Sequence, residues 1–248
     1  MQRMDVDVWI FGMFFEYYRG GRMYRTDATK SSLPGLMDGR EWPAHLDQLY
    51  RENMISPVWN KVHRTDIIRK HQLFFSEDLF IYEDLIFELQ YLAYVSDLFV
   101  SDECIYHYRQ AEDEGNASRR LKKVKHLSEL IGRVYDAGLL LSEKKESASA
   151  KTQLAQLVSH LYLVLLREKI SGSDKQEIQE TVYDALMNGK RFINESCLSE
   201  NEKSYLQLVL DQKVSRLIFL ARKTKLRHAA AVRVKSMLRR IRGSIRTV

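Results

Sequence analysis

Residues 57–70 read PVWNKVHRTDIIRK, residues 75–89 read FSEDLFIYEDLIFEL, and residues 105–109 read IYHYR. The middle segment leads into a helical pattern, because apolar side chains recur three or four positions apart from Glu83 to Val95. The last segment has the alternation of a strand. With only three prolines and eleven glycines in the chain, a helix between extended segments predicts an α/β fold.

Strands are predicted on both sides of this helix. Residues 5–10 alternate in polarity and predict a strand early in the chain. Residues 98–100 and 105–109 predict two more strands. Residues 19–40 contain several glycines and a proline, and we expect an irregular loop there.

Helical periodicity dominates the second half of the chain. Ser-x-x-Gln and Ser-x-x-Glu patterns at residues 173–176 and 199–202 are typical of capping boxes and predict helix starts. We therefore place a boundary near Ala117. It divides the chain into an α/β unit over residues 1–117 and a mostly helical region over residues 118–248.

The composition is that of a globular protein of one or two domains, with 45% hydrophobic and 29% charged residues among 248. Cys104 and Cys197 are too few for a disulfide framework and suit a reducing compartment, so we expect a cytoplasmic protein. We expect no signal peptide, and no apolar run approaches the about 18 residues that span a bilayer.

The basic charge is concentrated at the C-terminus. Residues 213–248 contain twelve Lys or Arg and no Asp or Glu, whereas the net charge of the whole chain is +6. Apolar residues recur there at helical spacing, which predicts an amphipathic helix that binds the anionic inner face of the cell membrane. A solvated tail and a nucleic-acid contact are the alternatives, and the lack of interleaved aromatic residues disfavours nucleic acid.

Glu83 and Asp84 form an acidic pair at the predicted helix start. Unpaired backbone N–H groups and the helix macrodipole favour carboxylates there, so capping explains the pair without a function. The same surroundings keep a carboxylate ionised at neutral pH, and it can then accept a proton from a substrate hydroxyl. We take Asp84 as the candidate base and Glu83 as the residue that caps the helix or orients the base.

Trp59, Asn60 and Lys61 follow Pro57 in a segment predicted to be extended or turned. An indole offers a flat apolar face and an N–H donor, which suit stacking on a sugar ring. The amide and the ammonium offer donors and positive charge for hydroxyl or phosphate groups. The alternative is a core tryptophan beside a solvated amide and ammonium.

His107 and Arg109 lie on one face of the strand predicted at residues 105–109, and Tyr106 and Tyr108 lie on the other. An imidazole can bind a metal ion or contact a diphosphate, and a guanidinium can hold a phosphate group. A histidine that only forms a hydrogen bond is the simpler alternative.

In this order the segments resemble the later half of family 2 glycosyltransferases, of the bacterial type that builds exopolysaccharide and capsule. The resemblance covers about residues 5–118. It is carried by Trp59-Asn60-Lys61 with Arg64 and Asp66, by Phe74-Phe75-Ser76-Glu77, by Glu83-Asp84-Leu85-Ile86-Phe87 and by Tyr106-His107-Tyr108-Arg109. It implies a partial GT-A-like sheet with flanking helices, followed by the mostly helical C-terminal region. It also implies inverting transfer of a sugar from a nucleotide-sugar donor to a glycan or lipid-linked acceptor.

The resemblance also assigns roles to residues. Asp84 matches the catalytic base that deprotonates the acceptor hydroxyl, and Glu83 matches its partner in the acidic pair. Residues 59–61 match a segment on the acceptor side of the cleft. His107 and Arg109 match the strand behind the site.

The chain departs from the family at its N-terminal side. Family members begin with a nucleotide-binding half that ends in an Asp-x-Asp motif, which holds Mn²⁺ or Mg²⁺ against the donor diphosphate. Asp5 and Asp7 have that spacing, but their place at the start of a predicted strand fits a later strand of the family better. We expect the divalent metal in a complete enzyme and a truncated chain here. The alternative is a non-catalytic remnant that docks on a membrane or a partner enzyme.

Overall fold

A computed structural model describes residues 6–111, 124–220 and 223, and its sheet is built around one long strand, β1 (Val8–Arg19). On one side β1 pairs in parallel with β5 (Leu98–Ala111). On the other side it pairs antiparallel with β4 (Lys61–His63) near its start and with β2 (Arg22–Thr29) further along. A short strand, β3 (Gly35–Met37), extends the sheet antiparallel to the start of β5.

The two halves of β1 have different surroundings. Val8, Ile10 and Met13 have no exposed surface, because the first half of the strand lies under helices. From Phe14 to Tyr18 the side chains are only half-buried. The second half of β1 therefore projects from the core together with β2.

Three helices belong to the α/β half. They are α1 (Leu46–Arg51), preceded by a 3-10 turn, α2 (Thr65–Lys70) and α3 (Glu83–Leu92). Seven of the ten residues of α3 are buried, so this helix forms the centre of the α/β core.

The second half of the described chain is helical, as predicted. Its helices are α4 (Leu127–Lys144), α5 (Ala148–Gly172), α6 (Lys175–Asp184) and α7 (Glu200–Leu210). α4 packs on α3 and α5 packs on α1, so one hydrophobic core runs through both halves. The boundary predicted near Ala117 lies outside the described residues.

The irregular loop predicted for residues 19–40 is wrong, because β2 and β3 lie within it. Gly20 and Gly21 have φ of 53° and 76° and form a two-residue turn between β1 and β2. Successive positive φ values are what a tight hairpin requires, and glycine adopts them without steric cost. Gly20-Gly21 is thus a sequence signal for a hairpin, which the prediction of an irregular loop did not use.

The two strands predicted at residues 98–100 and 105–109 are one continuous strand, β5. The polar residues between them, Ser101 to Cys104, interrupt the apolar pattern without interrupting the strand. The register between β1 and β5 shifts at this point, opposite Gly12. The polar residues 101–104 therefore mark an irregular, partly exposed part of the pairing between β1 and β5, and not the end of a strand.

One of the two predicted capping boxes is confirmed. Ser199 caps α7, and Glu202 completes the box. The box of α6 lies one residue later than predicted, since Asp174 is the N-cap and Glu177 its partner. Ser173 precedes this cap in extended backbone.

The described part of the chain contains no helix with the length and apolar character needed to cross a membrane. The amphipathic segment predicted for residues 213–248 falls mostly outside the described residues, apart from a helical segment at 214–220. Its contact with a membrane surface stays a prediction.

Gly12→Ala should lower the free energy of unfolding by about 1–3 kcal/mol, the usual cost of overpacking a core. A Cβ atom there would lie 2.8 Å from the Cys104 Sγ, 2.9 Å from the carbonyl oxygen of Thr29 and 3.1 Å from that of Glu103. Urea unfolding measures the difference. Gly20→Asn is the control, because nothing lies within 4 Å of its Cβ position and asparagine suits this turn. An equal loss in both variants would contradict the tight packing at Gly12.

Candidate functional site

The acidic pair occupies the first two positions of α3. The N-cap residue is Tyr82, which has a left-handed backbone with φ of 63° and contributes no side-chain cap. Asp84 is half-buried, and its carboxylate accepts a hydrogen bond from the backbone N–H of Val58. The start of α3 is thereby joined to the segment that contains Trp59.

The surroundings of Asp84 raise the pKa of its carboxyl group. Burial is the main cause, and the nearby carboxylates of Glu83 and Glu88 add to it. Lys61 and the Val58 N–H act in the opposite direction. Desolvation thus outweighs the backbone donors at the helix start in setting the direction of this pKa shift. A carboxylate of raised pKa is a better proton acceptor near neutral pH.

Lys61 lies inside the protein, with no exposed side-chain surface. Its Nζ donates hydrogen bonds to the carbonyl oxygens of Ile55, at 3.0 Å, and Pro57, and to the Asn60 Oδ1 at 2.8 Å. Burial lowers the pKa of Lys61 to about 8, although the charge of Glu88 opposes this. All three N–H groups of the ammonium donate hydrogen bonds within the chain. Lys61 thereby stabilises the loop at residues 55–60.

Asn60 is also internal, with 1% of its surface exposed. Its Nδ2 donates to the carbonyl oxygens of Phe11, at 3.2 Å, and Asn53, at 3.5 Å. The alternative interpretation supposed that Asn60 and Lys61 are solvated. Both side chains are instead buried. Among residues 59–61, which were predicted together with Arg109 to contact substrate, the side chain of Trp59 is partly exposed.

Trp59 lies flat against two tyrosines of β5. The ring centroids are 4.4 Å from Tyr106 and 4.9 Å from Tyr108, with interplanar angles of 28° and 18°. Phe15 approaches the indole edge-on at 6.5 Å. Tyr106 remains 37% exposed. We call Trp59, Tyr106 and Tyr108 the aromatic platform.

His107 and Arg109 have their contacts on the opposite face of β5, as the strand alternation predicted. The Nδ1 of His107 lies 2.7 Å from the Glu16 Oε1, and this hydrogen bond is the main cause that lowers the pKa of Glu16. The guanidinium of Arg109 lies over the Tyr18 ring, 4.4 Å from its centroid. The sheet thus separates these two residues from the aromatic platform.

Of the residues predicted for a metal ion, Asp7 and His107 do not meet. The two carboxylate oxygens of Asp7 accept from the Ser96 N–H at 2.6 Å and the Arg64 Nη1 at 3.4 Å. Asp7 precedes β1, whereas His107 pairs with Phe14, so about 20 Å of strand separates them at about 3.3 Å per residue. The described residues contain no group of three or more His, Cys, Asp or Glu that fits a metal ion. Asp5 lies outside the described residues.

The sequence analysis did not identify Glu88 and His63 as part of the site. Glu88 has no exposed surface, and its Oε1 lies 2.9 Å from the His63 Nε2 and 4.0 Å from the Lys61 Nζ. A sequence signal for Glu88 did exist. It is a single acid within an apolar run on the core-facing helix, and charged residues are rarely buried without a partner.

Comparison with solved structures identifies the kind of fold. The chain is similar to TarS 1-349 from S. aureus, a glycosyltransferase, in complex with UDP-GlcNAc, with a TM-score of 0.52 and 12% identity over 89% of this chain. The complex of the same protein with UDP gives a TM-score of 0.49 and 11% identity. This chain spans about 60% of the length of the TarS chain.

No family model matches the sequence, and no curated protein is significantly similar to it. At 12% identity the similarity to TarS concerns the fold. It confirms the prediction of an α/β fold with a mixed sheet, flanking helices and a helical C-terminal region.

Asp84→Asn should raise the free energy of unfolding at neutral pH, because it removes a carboxylate whose charged form is disfavoured in the folded state. The folded-state pKa lies above the unfolded value of about 3.9. The destabilisation is therefore absent below that value and develops as the pH rises through the folded-state pKa. Urea unfolding at pH 7 and near pH 4 should show the larger gain at pH 7.

Asp66→Asn is the matched control for this experiment. Asp66 also lies in the first turn of a helix, but a hydrogen bond from Arg64 lowers its pKa. That variant should lose stability at pH 7. A loss in Asp84→Asn as well would support the capping interpretation of the acidic pair.

Proposed function

We propose that the chain forms the acceptor-side part of a nucleotide-sugar glycosyltransferase, with Asp84 as the catalytic base. The observation that carries this proposal is the position of Asp84. Its half-buried carboxylate, of raised pKa, is held by the N–H of Val58, the residue that precedes Trp59 of the aromatic platform. The fold around it is similar to that of a sugar-transferring enzyme.

The proposed reaction is a single displacement. A hydroxyl oxygen of the acceptor attacks C1 of the donor sugar, and the bond from C1 to the diphosphate oxygen breaks. The nucleotide diphosphate leaves with the electron pair of that bond. Asp84 takes the proton of the attacking hydroxyl, and the configuration at C1 is inverted. Glu83, which we expect to cap the helix or orient the base, also carries a charge that raises the pKa of Asp84.

The aromatic platform gives the acceptor a place to bind. The C–H groups of a sugar ring pack well on flat aromatic faces, and the indole and phenol groups retain polar atoms for its hydroxyls. Trp59 follows Val58 in the chain, so a ring on the platform would present its hydroxyls close to Asp84. We therefore propose a glycan or a lipid-linked glycan as the acceptor.

A divalent cation, Mn²⁺ or Mg²⁺, would neutralise the departing diphosphate in the complete enzyme. The described residues do not assemble a site for it, and none of the roles given to Asp84 or the aromatic platform requires it. A uridine nucleotide sugar is the first donor to test, because TarS was crystallised with UDP-GlcNAc.

A donor site that persists in this chain predicts a larger rise in melting temperature with UDP and Mn²⁺ than with GDP, CDP or dTDP. A nucleotide at 100 times its dissociation constant stabilises by about 2.7 kcal/mol, which shifts the melting temperature by about 5–10 °C at this chain length. A thermal-shift screen with and without Mn²⁺ measures this. A cooperative melt that no nucleotide shifts would count against a donor site in this chain. It would favour the non-catalytic docking module.

In the complete enzyme, Asp84→Asn should lower sugar transfer by about 100-fold or more, the usual contribution of a general base, and should leave UDP affinity within about twofold. UDP release from UDP-GlcNAc with a polysaccharide or lipid-linked acceptor measures transfer, and calorimetry measures affinity. Asp66→Asn serves again as the control, and its transfer rate should match that of the unmodified protein. Unchanged turnover in Asp84→Asn would remove Asp84 as the base.

A further inference from the structure

A row of ionisable residues lies behind Asp84, between α3 and β4. Glu88 follows Asp84 by four residues, which is about 6 Å along a helix. Lys61 and His63 are two residues apart on β4, which is about 6.6 Å along a strand and on the same face. Because the two spacings match, Asp84 and Glu88 of α3 can alternate with Lys61 and His63 of β4. Lys61 faces both acids, and His63 contacts Glu88.

The burial of charged side chains in this row lowers the stability of the fold. Lys61 and Glu88 have no exposed side-chain surface, and the Glu88 Oε2 has no hydrogen-bond partner in the described part of the chain. Buried ion pairs of this kind can often be replaced by apolar residues without loss of stability. The neighbouring core positions of α3, Leu85, Ile86 and Leu89, are apolar. Packing alone therefore does not account for charged residues here.

We propose that Lys61, Glu88 and His63 are positioning residues for Asp84. Lys61 holds the loop through the carbonyl oxygens of Ile55 and Pro57, and the next residue of that loop, Val58, donates its N–H to Asp84. Glu88, held by His63, keeps the ammonium of Lys61 charged and in place. The inference rests on the proposed function of Asp84 as a base.

The proximity of Asp84, Lys61 and Glu88 also predicts how sugar transfer depends on pH. Glu83 and Glu88 from α3 and Lys61 from β4 face Asp84, and Tyr91 from α3 also lies near Glu88. Loss of the charge of Glu88 would lower the pKa of Asp84, because a like charge is removed. It would also lower the pKa of Lys61 below about 8, because an opposite charge is removed. Both limbs of the pH profile of transfer should therefore move to lower pH.

Glu88→Gln tests this without relying on transfer. Carboxyl ¹³C NMR follows the titration of Asp84, and ¹⁵N NMR follows that of Lys61, in the chain as it exists. Both titrations should move to lower pH in the variant. Glu202→Gln is the matched control, because Glu202 contacts His160 at 3.0 Å in another part of the fold and should leave both titrations unchanged. An unchanged Asp84 titration in Glu88→Gln would overturn the inference.

The unmodified protein provides a test that holds even if Glu88→Gln does not fold. The carboxyl signal of Asp84 should show a second step where Lys61 titrates, near pH 8, and absence of that step would overturn the inference. Transfer assays separate this inference from the proposed function. Coupled titrations without sugar transfer by the complete enzyme would support the positioning role and contradict the proposed function. Transfer with uncoupled titrations would do the reverse.

Discussion

The ammonium of Lys61 must find all of its partners inside the protein, and much of the site depends on how it does so. Its hydrogen bonds shape the loop that precedes β4, and that loop presents Trp59 to the tyrosines of β5. The same loop supplies the N–H that reaches Asp84. A residue with no access to solvent thereby connects the aromatic platform to the acidic pair of α3.

The long central strand and the buried helix α3 hold these parts in fixed relation. β1 carries β4 on one edge and β5 on the other, so Lys61 and the tyrosines are attached to the same strand. The C-terminal helices cover α3 and α1 from behind and leave the start of α3 half-exposed. The fold that holds them is similar to that of TarS, at a TM-score of 0.52.

The sequence was sufficient to predict those elements whose signals are local. The early strand, α3 and the cap of α7 follow from periodicity and capping residues at short range. The burial of Asn60 and Lys61 could not be predicted in this way, because their partners are backbone oxygens brought near by folding. Glu88 and His63 meet only when α3 packs on β4, and a lowered pKa for Lys61 depends on that same packing.

The parallel pairing of β1 with β5 has a consequence for how the chain is made. Val8 pairs with Leu98, so at about 5–20 residues per second β5 leaves the ribosome roughly 5–20 seconds after β1. The hairpin of β1 and β2 needs only microseconds to form once its two-residue turn is available. During that interval the apolar first half of β1 lacks its parallel neighbour. The nascent chain therefore passes through a period in which chaperone binding competes with aggregation.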